Sequence, residues 1–425
     1  MNSLLIYTPH TSSRLKYTLD WLFTEQFGLN YELTHDASQE VPIAYGAIVP
    51  GAINIPDRGL LWQQSVTPHA ISTGSWKDIP ILYHSTEEKM SLPFDIFSAI
   101  FFILSRYEEY YSFIPDKHDR YPATQSVLFK FLEQPVVDEW IAKFAELLKE
   151  KNIAVQQKEF LYTPTYDIDI AWSYKNKGLQ RNLGGLAVDI LNGNISEVAQ
   201  RLSALFGSND PYDSFDWIDV MHDQHNLSPI YFMLVAERTS QFDKNIAPST
   251  PPMRALIKRL SDKYCVGIHP SYYSNVRPSL ITNEKILLEN ITAKKITQSR
   301  QHYIKFKLPD TYRELIRNDI TDDYSMGYAT HIGFRAGTGR SFLWFDLMAE
   351  NISPLRIHPF CFMDTTARFD MGLDAVTAKV RLEKMKELLK NTNSTLITVF
   401  HNFSLGTDAG WAGWKNTYKQ FISGI

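Results

Sequence analysis

Two patterns of apolar spacing divide the chain. Up to about residue 150 the apolar runs are short and mixed in type. Ser3–Tyr7 reads as a strand. Arg14–Phe27 carries Leu15, Leu19, Leu22, Phe23 and Phe27 at helical spacing. Asn30–Thr34 reads as a second strand. Between Ala44 and Tyr83, Gly and Pro residues interrupt short apolar runs, which predicts turn-rich β structure. Phe94–Tyr111, strongly apolar, and Val136–Lys151, amphipathic with a basic end, predict helices. This stretch carries no chemical motif.

From Phe160 onward the pattern alternates. Strand candidates are Glu159–Asp169, Pro229–Val235, Tyr264–Pro270, Ile296–Tyr303, His331–Arg335, Leu355–Phe360 and Thr395–Asn402. Helical spacing lies between most of them, at Ser196–Phe206, Phe215–Asn226, Met253–Lys263, Asn283–Lys295, Thr311–Asn318 and Asp374–Lys390. Such alternation buries a parallel sheet under helices. The predicted fold class is α/β. A C-terminal (β/α)7-type distorted barrel over residues 156–425 follows a smaller mixed α/β domain over residues 1–155, and a doubly wound open sheet is the alternative.

Composition narrows the partners. The net charge is −4 and no basic block stands out, which argues against nucleic acid. Aromatic residues reach 13%, which suits either stacking on sugars or large packed cores. The two cysteines, Cys265 and Cys361, form neither a disulfide framework nor a thiolate cluster. The longest apolar run, Ile96–Leu104, is too short to span a bilayer, and the N-terminus lacks the basic flank of a signal peptide. The expectation is a cytoplasmic protein with no integral membrane segment. Its oligomeric state is open.

The chemistry gathers at strand ends, where a parallel barrel places its site. The first strand ends Thr165-Tyr-Asp-Ile-Asp169, the third His269-Pro-Ser-Tyr-Tyr273, the fourth Arg300-Gln-His-Tyr303, and the last Val399-Phe-His-Asn402. Asp167 and Asp169 are two apart, so on a strand they share a side. Two close carboxylates hold a cation, or divide into a base and a ligand.

In that order and at similar separations, these segments resemble the Thr-Phe-Asp-Asp, His-Ser/Thr-x-x-His-Pro, Arg-x-Pro-Tyr and Leu-x-His-Asp segments of the polysaccharide deacetylases (carbohydrate esterase family 4). Ile230–Val235 and Ile357–Asp364 also look like family strands. The N-terminal region resembles an accessory domain fused to such deacetylases in Bacteroidetes-type proteins. The resemblance implies a hydrolase of carbon–nitrogen amide bonds other than peptide bonds, acting on an N-acetylated amino sugar or polysaccharide. It implies Asp167 as general base, His401 as general acid and Arg300 as the group orienting Asp167. Asp169 and His269 would bind a divalent metal, typically zinc.

The departures keep alternatives open. Tyr273 stands where the family has its second metal histidine, and His302 is the candidate third ligand. Asn402 replaces the final Asp. A catalytic zinc takes three protein ligands. A non-catalytic glycan-binding barrel, or a metal-independent amidohydrolase acting on a small nitrogenous substrate, is therefore weighed beside the deacetylase. Tyr273, Tyr303 and Asn402 are candidate substrate contacts. So is Arg335, in the glycine-rich stretch Gly333–Arg340, where a guanidinium among backbone N–H groups suits a carboxylate or phosphate.

Overall fold

The structure is a computed structural model that describes residues 3–207 and 209–425. The N-terminal part builds a parallel sheet from β1 (Leu4–Tyr7), β2 (Tyr31–Thr34), β3 (Ile43–Tyr45) and β4 (Ile53–Ile55), in the order β2-β1-β3-β4. β5 (Thr73–Trp76) and β6 (Ile79–Leu82) form a hairpin, whose turn residues Lys77 and Asp78 both have positive φ, as a tight two-residue turn demands.

The larger sheet contains β7 (Leu161–Ile168), β8 (Ile230–Met233), β9 (Cys265–Ile268), β10 (Gln298–Ser299), β11 (Asp322–Asp323), β12 (Phe342–Asp346), β13 (Asn351–Ile357), β14 (Phe362–Met363) and β15 (Thr395–His401). Its order is β12-β13-β11-β10-β9-β8-β7-β15-β14, parallel throughout except for the β12–β13 pair. β13 and β14 belong to one stretch of chain. Its first part pairs with β11 through Arg356 and Ile357, and its last part with β15 through Phe362 and Met363. That stretch therefore links the two sides of the parallel sheet, as an α/β barrel-type domain requires.

Most alternating elements form where the apolar spacing places them. One does not. His331–Arg335, read from the sequence as a strand, has no strand structure, and the pairing partner in that region is β11. Gly333 shows why. Its φ is 134°, and a Cβ there would lie 2.3 Å from the Leu132 carbonyl oxygen. The backbone is pinned instead between two parts of the molecule: Gly333 N–H donates to Cys361 at 2.8 Å, and Phe334 N–H to Leu132 at 2.6 Å.

The same stretch ties the N-terminal part to the barrel. Val137 N–H donates to the Gly337 carbonyl at 2.9 Å, and Asp138 accepts from Gly339 N–H at 2.8 Å. Around these bonds lies a continuous apolar core. Phe101, on the Ile96–Leu104 helix, meets Phe345 of β12 edge-on at 5.1 Å between ring centroids.

Candidate active site

β7 delivers the two carboxylates. Asp167 is its penultimate residue and Asp169 follows its end, and both line one cavity of about 560 Å3. His269 follows β9, His302 follows β10, and His401 ends β15. All three histidines line the same cavity and are buried. Parallel strands wound in one direction put all these ends on one rim, so residues far apart in sequence converge.

Arg300 is fully buried and organises Asp167. Its Nη1 donates to Asp167 Oδ1 at 2.9 Å and to Thr165 Oγ1 at 2.8 Å, and its Nε donates to the Tyr324 carbonyl at 2.9 Å. Phe232 lies under the guanidinium, 4.5 Å from ring centroid to Cζ. A buried, clamped cation holds its carboxylate partner in one orientation.

The histidines are oriented from behind. His269 Nδ1 donates to the Arg300 carbonyl at 2.6 Å, because a carbonyl only accepts. Its Nε2 therefore faces Asp169 Oδ1, 3.2 Å away. His302 sets Nδ1 against Asp243 Oδ1 at 3.1 Å and Nε2 3.5 Å from Asp169 Oδ2. His401 places Nδ1 2.7 Å from Asp364 Oδ1 and Nε2 3.5 Å from Asp169 Oδ2. A carboxylate or carbonyl behind a histidine fixes its tautomer and its aim.

Asp169, His269 and His302 present ligand atoms within 4.8 Å of one another. Asp169 Oδ1 is buried without a hydrogen-bond partner among the described residues. These are the marks of a cation cradle: two aimed imidazole nitrogens, one orphaned carboxylate oxygen and acceptors behind each ring. Burial lowers the His302 pKa, but Asp169 and Asp243 push it up to about 9. Burial would raise the Asp169 pKa, yet the His302 charge and the approach of the His269 and His401 rings hold it well below the usual carboxylate range. At His401 burial is likewise outweighed, chiefly by Asp364, and the pKa stands well above the ordinary imidazole value.

Of the residues singled out in sequence, Asp167, Asp169, His269, His302, Tyr303 and His401 line the cavity, with Arg300 directly behind. Three are placed elsewhere. Arg335 is buried, its Nε and Nη2 forked onto Glu109 at 2.8 and 2.6 Å, so it has no free face for a substrate anion. Asn402 is buried as well, and its Nδ2 donates to the carbonyls of Ile170, Ala171 and Tyr212 at 3.1, 3.2 and 2.8 Å, pinning the loop behind Asp169. Tyr273 is 41% exposed and sits outside the cavity lining, beside Phe242.

Sequence reasoning missed Asp364 and Asp243. Asp364 had a signal, since it follows β14 directly and so stands at the strand-end rim. Asp243 had none. It sits in the loop after β8, and only folding brings it to His302 and to the backbone N–H of Tyr272, at 2.9 Å.

Residues 4–153 match the model of a family described as a family of unknown function (DUF7033). No curated protein matches the chain. Among solved structures, a putative polysaccharide deacetylase from Mycobacterium smegmatis is similar at 11% identity and a TM-score of 0.41, covering 63% of this chain and 84% of that one. Puue allantoinase is similar at 9% identity and a TM-score of 0.41, covering 62% and 83%. A probable polysaccharide deacetylase from Pseudomonas aeruginosa PAO1 is similar at 10% identity and a TM-score of 0.40, covering 62% and 84%.

Proposed function

We propose that this protein is a metal-dependent hydrolase of a non-peptide amide bond, removing the N-acetyl group of an amino sugar or polysaccharide at the top of an α/β barrel-type domain. One observation carries the reading. Asp167 Oδ2 lies 3.8 Å from His269 Nε2 and His401 Nε2 3.5 Å from Asp169 Oδ2, so an acid–base pair flanks the Asp169–His269–His302 cradle.

The donor set, one carboxylate and two imidazoles, suits zinc, which would lower the pKa of a bound water to about 7 and polarise an amide carbonyl. Asp167, oriented by Arg300, accepts the proton of the attacking water. His401 carries a proton on Nε2 while Asp364 holds Nδ1, and it delivers that proton to the departing nitrogen. Water adds across the C–N bond, giving acetate and a free amine. Aromatic groups support a sugar as substrate. Phe242 and Tyr303 line one part of the cavity, and Phe403 stacks on His401 at 4.8 Å in another.

The test is acetate release from N-acetylglucosamine, its oligomers and charged derivatives, with zinc or cobalt supplied. Turnover abolished by a strong chelator and by Asp167→Asn is the expected result. Turnover indifferent to the chelator would replace this reading with a metal-independent amidohydrolase. No turnover of any N-acetylated sugar would overturn it.

A further inference from the structure

The cavity is not built by the barrel alone. Lys117, His118 and Arg120 come from the N-terminal part of the chain and line the same cavity as Asp167, Asp169 and the histidines. They sit on a turn that is held rigidly. Asp116 Oδ1 accepts from the N–H groups of His118 and Arg120 at 2.9 and 3.0 Å, and its Oδ2 accepts from Arg120 Nε at 2.8 Å.

The turn is anchored to the barrel at two points. Arg120 Nη1 donates to the Tyr303 carbonyl at 2.6 Å, beside the cradle residue His302. Tyr303 has a φ of 61°, a strained conformation for a side chain of its size, and this bond helps to hold it. His118 Nδ1 lies 2.9 Å from the Tyr272 hydroxyl. The rings of His118 and Tyr303 are 5.0 Å apart.

The charges left over at the mouth are biased to one sign. Asp167 is spoken for by Arg300, Asp169 faces three histidines, and Arg120 is paired with Asp116. Lys117, from the turn, and Lys244, from the loop after β8, are exposed and make no ion pair among the described residues. Asp370 is the one other acid lining the cavity, and it feels the charges of Arg120 and Lys117. Arg335 is buried against Glu109 and does not line this cavity.

We propose that the N-terminal part completes the substrate pocket, and that Lys117 and Lys244 bind an anionic group, a carboxylate or a phosphate, on the sugar that enters it. This inference deepens the hydrolase reading and rests on it for the class of substrate. Two lysines facing one cavity attract a single anion more strongly than either lysine alone, and salt weakens the attraction.

Binding is measured by calorimetry on the full-length chain, so that no turnover is needed. The ligands are N-acetylglucosamine, its 6-phosphate and an N-acetylated uronic acid, and the proteins are the wild type and Lys117→Ser/Lys244→Ser. At least one charged sugar binds the wild type about tenfold more tightly than the neutral one, and which one does so identifies the anion. In the double variant that preference falls to near unity, while the affinity for the neutral sugar is kept. Equal binding of charged and neutral sugars by the wild type, no binding of any, or a preference that survives in the variant overturns the proposal. Charged-sugar binding without turnover of any sugar overturns the hydrolase reading alone.

Discussion

His269 donates its Nδ1 proton to the backbone carbonyl of Arg300, and the guanidinium of that same residue grips Asp167. One residue thus aims His269 with its backbone and Asp167 with its side chain. The two functions separate by mutation, because Asp167 is outside the cradle. Asp167→Asn is expected to lower turnover by about 10²- to 10⁴-fold while leaving bound metal unchanged, read by steady-state kinetics beside elemental analysis. Asp169→Ala/His269→Ala removes two of the three cradle residues, and elemental analysis of that variant should find no metal.

Asp243 supports His302 from behind and touches nothing else in the cradle. Asp243→Asn should weaken metal affinity by about 10- to 100-fold, measured by competition with a chromogenic chelator. Unchanged affinity would mean that His302 is not a ligand.

Asp364 accepts both the backbone N–H of His401, at 2.8 Å, and faces its ring nitrogen at 2.7 Å. Asp364→Asn leaves the shape but loses the charge that raises the His401 pKa. The expected outcome is a kcat lower by about 10²-fold with KM nearly unchanged, since the interaction acts on the leaving group rather than on binding.

Glu109 lies between the buried guanidinium groups of Arg106 and Arg335. Glu109→Ala leaves buried Arg335 without its acid partner and Arg106 with Glu108 alone, at a cost of about 3–5 kcal/mol. Chemical denaturation reads that loss. KM for the substrate should stay unchanged in whatever fraction remains folded, because none of the three residues lines the cavity.

Glu284 is buried, and burial pushes its pKa up to about 7 from an ordinary 4.5, although it accepts the Ser271 N–H at 2.9 Å. The folded protein therefore holds a proton there that the unfolded chain releases earlier. Stability from this residue is complete below pH 4.5 and falls as the pH rises toward 7. Glu284→Gln removes the fall. Unfolding free energies at pH 5 and pH 8 should show the wild type losing on the order of 2–3 kcal/mol relative to the variant.

The alternation of strands and helices is legible in the chain's apolar spacing, because an apolar run that must be buried on both faces differs in spacing from an amphipathic helix. With strand direction it also predicts Asp, His, Arg and His at one rim of strand ends, since parallel strands put their C-terminal ends together, but that Asp169, His269 and His302 converge is read only from the folded chain. The rest depends on how distant segments dock. Gly333–Arg340 reads as an anion loop, yet its backbone bonds go to the Leu132–Asp138 region and Arg335 goes to Glu109, a partner 226 residues away. Asn402 reads as a degraded site residue, yet it closes a loop. Lys117 and Arg120 carry no motif at all, and they reach the cavity through a turn fixed by Asp116. The physical reason is common to these cases. Apolar periodicity reports how each segment meets the core, whereas the partner of a buried charge is set by where distant segments dock, and nothing local in the chain encodes that distance.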